Sequence, residues 1–209
     1  EGYGMSEGSP VVTFNQKEFG RKPGSIGTPV WGVEVMIVDE NDKEMPVGEK
    51  GELIYRGPNV MKGYYQRPEA NKNTLRNGWM HSGDVGIKDK DGFFYIVDRT
   101  KDMIIRGGEN IYPREIEEFL YQHPKVSDVQ VIGIPNAKYG EEVMAWIKLK
   151  DQMEATAEEF KAFCEGKITH FKIPKYYKFT EDFPMTVTGK IRKVEMRRIS
   201  VEELDIGEG

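Results

Sequence analysis

The sequence predicts an α+β protein in two parts: a small β-rich, barrel-like subdomain over residues 1–98 and a compact mixed α/β domain over residues 99–209. Three observations carry this prediction. Up to residue 97 the apolar residues fall in short runs broken by turn chemistry, and after residue 100 they fall at helical spacing. A chain of 209 residues with 38% hydrophobic and 11% aromatic side chains is also long enough to bury a core in each part. In the first part the run 33–38 mixes alternation with continuous apolar character, and 51–55 and 93–97 repeat it. Asp39-Glu40-Asn41-Asp42 and Asp89-Lys90-Asp91-Gly92 supply the turns between them. The change of pattern puts a hinge near 98–103. Beyond it, Pro113 suits a first helical turn and Ile116, Phe119 and Leu120 share a face, giving a helix over 114–122. Strands at 128–134 and 143–149, a helix at 157–165, a short strand near 176–180 and a basic helix at 192–199 follow. Thr156 with Glu159 three residues on is a capping box for the second of these helices. The tail from residue 206 is expected to fray.

Composition excludes several classes. With 31% charged residues, 23 Gly and 11 Pro the chain is neither fibrous nor disordered. No apolar run approaches the roughly 20 residues of a membrane span, and the first residues do not form a signal peptide, so a cytoplasmic location is expected. Cys164 stands alone and His81, His123 and His170 are isolated, which excludes an internal disulfide and a structural zinc. The net charge of −5 argues against coating nucleic acid. Residues 167–198 nevertheless hold nine Lys/Arg against three Asp/Glu, either a solvated face or a patch that meets phosphates. Because Glu1 is not Met and Glu1-Gly2-Tyr3-Gly4 reads as the interior of a motif, the chain is expected to be a piece of something longer.

Five segments combine Gly, hydroxyl, carboxylate and cation beyond what turns require. In Tyr3-Gly4-Met5-Ser6-Glu7-Gly8 the glycines admit a close ligand, Ser6 can donate to a phosphate oxygen, and Glu7 offers the oxygen ligand that Mg²⁺ prefers. A plain Gly-rich turn would use the same residues. In Gly78-Trp79-Met80-His81-Ser82-Gly83-Asp84, Asp84 stands at the end of a polar loop, where an acceptor-only carboxylate suits two ribose hydroxyls or caps a turn. His81 reads as a satisfied neighbour rather than a base, since no nucleophile partners it. Between Asp98 and Pro113, a charged cluster with Arg99 and Lys101 precedes an apolar triplet and then Gly107-Gly108-Glu109-Asn110. This is either a hinge admitting a narrow ligand or a linker followed by a β-turn. Gly133-Ile134-Pro135-Asn136 with Gly140-Glu141-Glu142 reads as a structural turn. Finally, Lys190 after Thr188-Gly189 presents a compact cation that domain motion can carry into a site. It is not a P-loop lysine, because Pro184 stands where the upstream Gly belongs.

In their order and spacing these segments resemble the AMP-forming adenylating enzymes, the superfamily of acyl-CoA synthetases, nonribosomal peptide adenylation domains and firefly luciferase. The resemblance covers essentially the whole chain. It implies that Tyr3 and Ser6 belong to the nucleotide-binding Y-G-x-[ST]-E motif, with Glu7 holding Mg²⁺. Asp84 and Arg99 would bind the ribose of ATP or AMP, and Lys101 would be the hinge of a mobile C-terminal lid domain. Gly107, Gly108 and Glu109 would line the tunnel for the pantetheine of coenzyme A, and Lys190 would be the catalytic lysine of adenylation. Lys22-Pro23-Gly24-Ser25-Ile26-Gly27-Thr28-Pro29 and Arg56-Gly57-Pro58-Asn59-Val60-Met61-Lys62-Gly63-Tyr64-Tyr65 are similar to fatty-acyl-CoA ligases, which makes a long-chain fatty acid the expected substrate.

On the same resemblance the phosphate-binding Ser/Thr/Gly-rich loop and most of the acyl pocket lie upstream of residue 1. The chain alone is therefore expected to be inactive, needing the missing N-terminal part, and to expose a face of residues 1–24. Other readings are a ligase for short, medium or aryl acids, and a non-catalytic module that binds adenine nucleotide or coenzyme A. A nucleic-acid-binding face on 167–198 would use Phe171, Tyr176, Tyr177 and Phe179, but no RNA or DNA motif accompanies them.

Overall fold

The apolar runs at 33–38 and 51–55 pair with each other, and the first of two compact units, Glu1–Lys101, is organised around that pairing in the computed structural model, which describes residues 1–206. β1 (Gly2–Gly4), β2 (Val11–Phe14) and β3 (Thr28–Pro29) form a small antiparallel sheet. β4 (Glu34–Val38) and β5 (Gly51–Arg56) lead through α1 (Pro68–Thr74) to β6 (Leu75–Arg76), β7 (Trp79–Lys88) and β8 (Phe94–Arg99), which make a second antiparallel sheet in the order β4-β5-β7-β6, with β8 also on β7. A bridge between Gly27 and Phe94 joins the two sheets. Val12, Val35, Ile37, Leu53, Tyr55, Met80 and Phe94 bury one core between them.

β7 corrects the sequence reading. Residues 78–84 are not the end of a polar loop, since Trp79–Lys88 is a ten-residue strand. Its register against β5 is broken: Glu52 pairs with Val85 and Ile54 with His81, so Leu53 alone faces Ser82, Gly83 and Asp84. Two surplus residues bulge out of the ladder here, and bulges characteristically re-aim a side chain.

The second unit begins at Asp102. β9 (Ile104–Arg106) and β10 (Glu109–Ile111) form a hairpin in which Arg106 pairs with Glu109, leaving Gly107 and Gly108 as the two-residue loop. Their φ values of 60° and 88° are those a tight hairpin demands and Gly supplies. α2 (Pro113–Leu120) follows, then β11 (Val126–Asn136) and β12 (Gly140–Leu149), α3 (Ala157–Cys164), β13 (Tyr176–Phe179) and α4 (Lys193–Glu203). Residues 133–136, read from sequence as a turn, continue β11, and the chain reverses at 137–139 instead. β12 carries β11 on one side and both β9 and the parallel β13 on the other.

The central hairpin is buried on both faces, which is why its sequence reads as a continuous apolar run. Val129, Val131, Val143, Ala145 and Ile147 pack with Ile116, Leu120, Phe160 and Cys164, while Ile132, Ile134, Met144 and Trp146 pack with Phe183 and Met196. Thr156 caps α3, its Oγ1 accepting the Glu159 N–H at 3.3 Å. The fraying expected from residue 206 falls, for 207–209, outside the described residues.

His123 is 6% exposed, its ring 4.4 Å from Phe160 and 4.8 Å from Phe163 between centroids. Burial pushes its pKa down despite Glu159 at 3.5 Å. The folded form then binds a proton less readily than the unfolded chain, so stability is lost as pH falls through the ordinary histidine value of about 6.5. The melting temperature of the second unit is expected to drop between pH 7.5 and 5.5, and His123→Gln to flatten that slope, as followed by circular dichroism.

Candidate functional site

Three of the residues singled out in the sequence meet in the first unit. β7 and β8 pair Asp84 with Arg99, and Arg99 Nε donates to Asp84 Oδ1 at 3.1 Å. From β1 the Tyr3 hydroxyl donates to Asp84 Oδ2 at 2.5 Å. Burial, then the Asp84 hydrogen bond, pushes the Tyr3 pKa well up, so the phenol stays a donor at any physiological pH. Each Asp84 oxygen has accepted one hydrogen bond and keeps a second acceptor position, which leaves the carboxylate able to take two vicinal hydroxyls.

Ser6 and Glu7 sit on one short turn, Ser6–Gly8. That turn is braced by residues the sequence reading used only as a subfamily mark. Tyr64 donates its hydroxyl to Glu7 Oε1 at 2.7 Å, Met61 N–H donates to the Glu7 carbonyl at 2.8 Å, and Asn59 Nδ2 donates to the Gly8 carbonyl at 2.8 Å. The Glu7 hydrogen bond raises the Tyr64 pKa, as expected for a donor to an ionised carboxylate. Among the described residues none donates to Glu7 Oε2, and Glu7 suits Mg²⁺, which takes one or two carboxylates and completes its shell with water and phosphate oxygens. Among the described residues no group of three His, Cys, Asp or Glu could hold a metal by itself.

The other candidates lie at or beyond the division between units. Lys101 is exposed in the short turn Thr100–Asp102. Gly107 and Gly108 form the hairpin tip described above and Glu109 is exposed beside it. The hairpin is fastened from β12: Arg106 donates through Nε and Nη2 to the buried Glu142 at 2.8 and 3.0 Å, and Ile105 N–H donates to Glu141 Oε2 at 2.7 Å. A pocket of about 290 Å³ opens beside Arg106, lined also by Lys161, Glu165, His170 and Lys175. Lys190 is exposed on a separate loop, closed by Thr186 N–H donating to the Lys190 carbonyl at 2.8 Å and by Lys190 N–H donating to Thr186 Oγ1 at 3.1 Å. Much of the positive charge in 167–198 is neutralised within the unit, with Lys172 on Glu115, Lys178 on Glu203, Lys193 on Glu117, and Arg198 on Glu195 and Glu202.

The family model described as AMP-binding enzyme matches residues 1–65, and that described as AMP-binding enzyme C-terminal domain matches residues 115–190. The chain belongs to the AMP-binding enzymes. Two relatives agree. The putative acyl-CoA synthetase YngI of Bacillus subtilis (strain 168) is 49% identical over 98% of this chain, and a long-chain-fatty-acid--CoA ligase of the same organism is 45% identical over 98%. The ATP-bound structure of MatB from Rhodopseudomonas palustris, 35% identical, superposes with a TM-score of 0.89 over 97% of the chain. This AMP-binding enzyme chain spans 38% and 36% of the lengths of the two relatives and 40% of the MatB chain. Among the described residues it has no helix long and apolar enough to cross a membrane.

Proposed function

We propose that the chain works within an ATP-dependent ligase that activates a carboxylic acid as its acyl-adenylate, releasing pyrophosphate, and passes the acyl group to coenzyme A in the cytoplasm. The observation that carries this reading is the convergence of Tyr3 and Arg99 on Asp84, a carboxylate held open for two hydroxyls, in a chain whose relatives are named acyl-CoA synthetases. Tyr3, Asp84 and Arg99 bind the nucleoside, and Ser6 donates to its phosphates. Glu7, oriented by Tyr64, holds Mg²⁺, which when bound neutralises phosphate charge.

Attack of the acid carboxylate on the α-phosphate builds negative charge, and the Lys190 ammonium, delivered by movement of the second unit about Lys101, stabilises it. The Gly107-Gly108 hairpin then serves the thiol, with Glu109 beside it. In the pocket beside Arg106, whose guanidinium is held by Glu142, the Lys161 and Lys175 ammonium groups, with Glu165 also in the lining, are the cations to take the phosphates of coenzyme A. Lys161→Ala combined with Lys175→Ala is expected to raise the KM for coenzyme A about tenfold while leaving pyrophosphate exchange unchanged.

The acid is a long-chain fatty acid on this reading, supported by the similarity to a long-chain-fatty-acid--CoA ligase. The test is ATP–pyrophosphate exchange by the full-length chain with palmitate, octanoate, acetate and benzoate. Exchange that requires palmitate supports the reading in full, exchange with another acid corrects the substrate, and no exchange with any acid rejects the ligase in favour of a non-catalytic nucleotide-binding module.

A further inference from the structure

The two surplus residues of β7 create a problem that the fold solves in an unusual place. A bulge leaves backbone donors outside the ladder and invites register slip. Here the Gly83 and Asp84 amides are both caught by side chains. Gly83 N–H donates to Glu52 Oε1 at 3.0 Å, Asp84 N–H donates to Ser82 Oγ at 3.0 Å, and the Ser82 hydroxyl donates to the Leu53 carbonyl at 2.5 Å. Glu52 is thus the post around which the bulge is folded, and its long side chain must itself be held.

His81, 7% exposed, does this with Nδ1 at 2.9 Å from Glu52 Oε2, the nearer of two contacts to that oxygen, Arg76 Nη2 standing 3.6 Å away. Arg76 Nε, which can only donate, lies 3.1 Å from His81 Nε2, so Nε2 presents its lone pair and Nδ1 carries the proton that goes to Glu52. Arg76 is fixed in turn by Asp42, Nη2 to Oδ1, at 3.0 Å. A line of polar contacts from Asp42 through Arg76, His81 and Glu52 therefore ends on the amide next to Asp84.

We propose that Glu52 and His81 are positioning residues for nucleotide binding: neither touches the ligand, and together they hold the bulge in the conformation that presents Asp84 to it. This rests on Asp84 being the group that binds the ribose. The purpose assigned to His81 differs from plain stability in what its loss does, because a misplaced Asp84 weakens the nucleotide in the bound state without abolishing turnover at saturation.

The experiment is pyrophosphate exchange by the full-length chain at saturating acid with ATP varied, on wild type, His81→Asn, His81→Leu and Glu52→Gln, with a melting curve for each. Asparagine keeps an N–H donor near the Nδ1 position and leucine does not. In Glu52→Gln, an amide N–H₂ confronts the His81 proton while the amide oxygen serves Gly83. His81→Leu and Glu52→Gln are expected to raise the KM for ATP about tenfold while kcat falls less than about threefold, with His81→Asn within about twofold of wild type. If the leucine variant does not fold, His81→Asn against Glu52→Gln decides. An unchanged KM for ATP in Glu52→Gln, or an asparagine variant as impaired as the other two, overturns the proposal. A wild type that shows no exchange overturns instead the nucleotide reading, and with it the purpose of the bulge.

Discussion

Replacing Lys190 by alanine in the full-length chain is expected to lower acyl-adenylate formation by about 10²–10³-fold, the cost of removing one group aimed at developing charge in a transition state. The same variant is expected to fold as the wild type does. Lys190 is exposed at a loop tip, and among the described residues it makes no ion pair, so its loss orphans no carboxylate. The backbone bonds that close the loop, between Thr186 and residue 190, survive any side chain there. ATP–pyrophosphate exchange reads the first effect and a melting curve the second. Transfer of the acyl group from supplied acyl-adenylate to coenzyme A should be nearly untouched, because the proposed role of Lys190 ends with adenylation. Exchange within about threefold of wild type would remove Lys190 from the mechanism.

The largest effect on folding is expected from Gly27→Ala. Gly27 has φ +88° at the bridge that joins the two sheets of the first unit, with Phe94 N–H donating to its carbonyl at 3.0 Å. An added Cβ would stand 2.0 Å from the carbonyl carbon of Phe14 and 2.3 Å from the nitrogen of Asn15. Those are backbone atoms of β2 and its exit, which no rotamer change can move. The left-handed backbone alone costs a non-glycine residue about 1–2 kcal/mol, and the overlap adds enough to exceed about 4 kcal/mol in all. Against a total stability of about 5–15 kcal/mol this leaves the unit marginal or unfolded. Gly24→Ala separates the two causes, since Gly24 has φ +82° but nothing within 4 Å of the added carbon. It should lower the melting temperature by only a few degrees where Gly27→Ala removes the cooperative transition.

Local chemistry was legible in the sequence wherever the interaction itself is local. Thr156 and Glu159 lie one turn apart, and the cap they form needs nothing from elsewhere. Ile116 and Leu120 fall on one helix face, and both are buried there. The misreadings have equally definite causes. β7 contains Gly83 and Gly86 and a run of His, Ser and Asp, and its bulge breaks the alternation by which strands are recognised. Gly107-Gly108 is different: of the two readings the sequence offers there, a hinge or a linker followed by a β-turn, the second is what forms, as the two-residue turn between β9 and β10. Of the candidate site, Tyr3, Asp84 and Arg99 could be named from motifs. Their supports could not, because Tyr64 lies 57 residues from Glu7 and His81 lies 29 from Glu52, and only the folded sheet brings them together.

The bulge in β7 separates what the sheet needs from what the site needs. Pairing with β5 would be continuous if β7 were two residues shorter, and since side chains alternate with a period of two, an even shortening would keep every inward residue facing inward. Two of the three residues Ser82-Gly83-Asp84 are thus an allowance of chain beyond architectural requirement, and selection for a sturdier sheet alone would tend to trim them. A descendant of this chain that kept its core and lost its ligand could arise by one short in-frame deletion, with no change to any buried apolar residue.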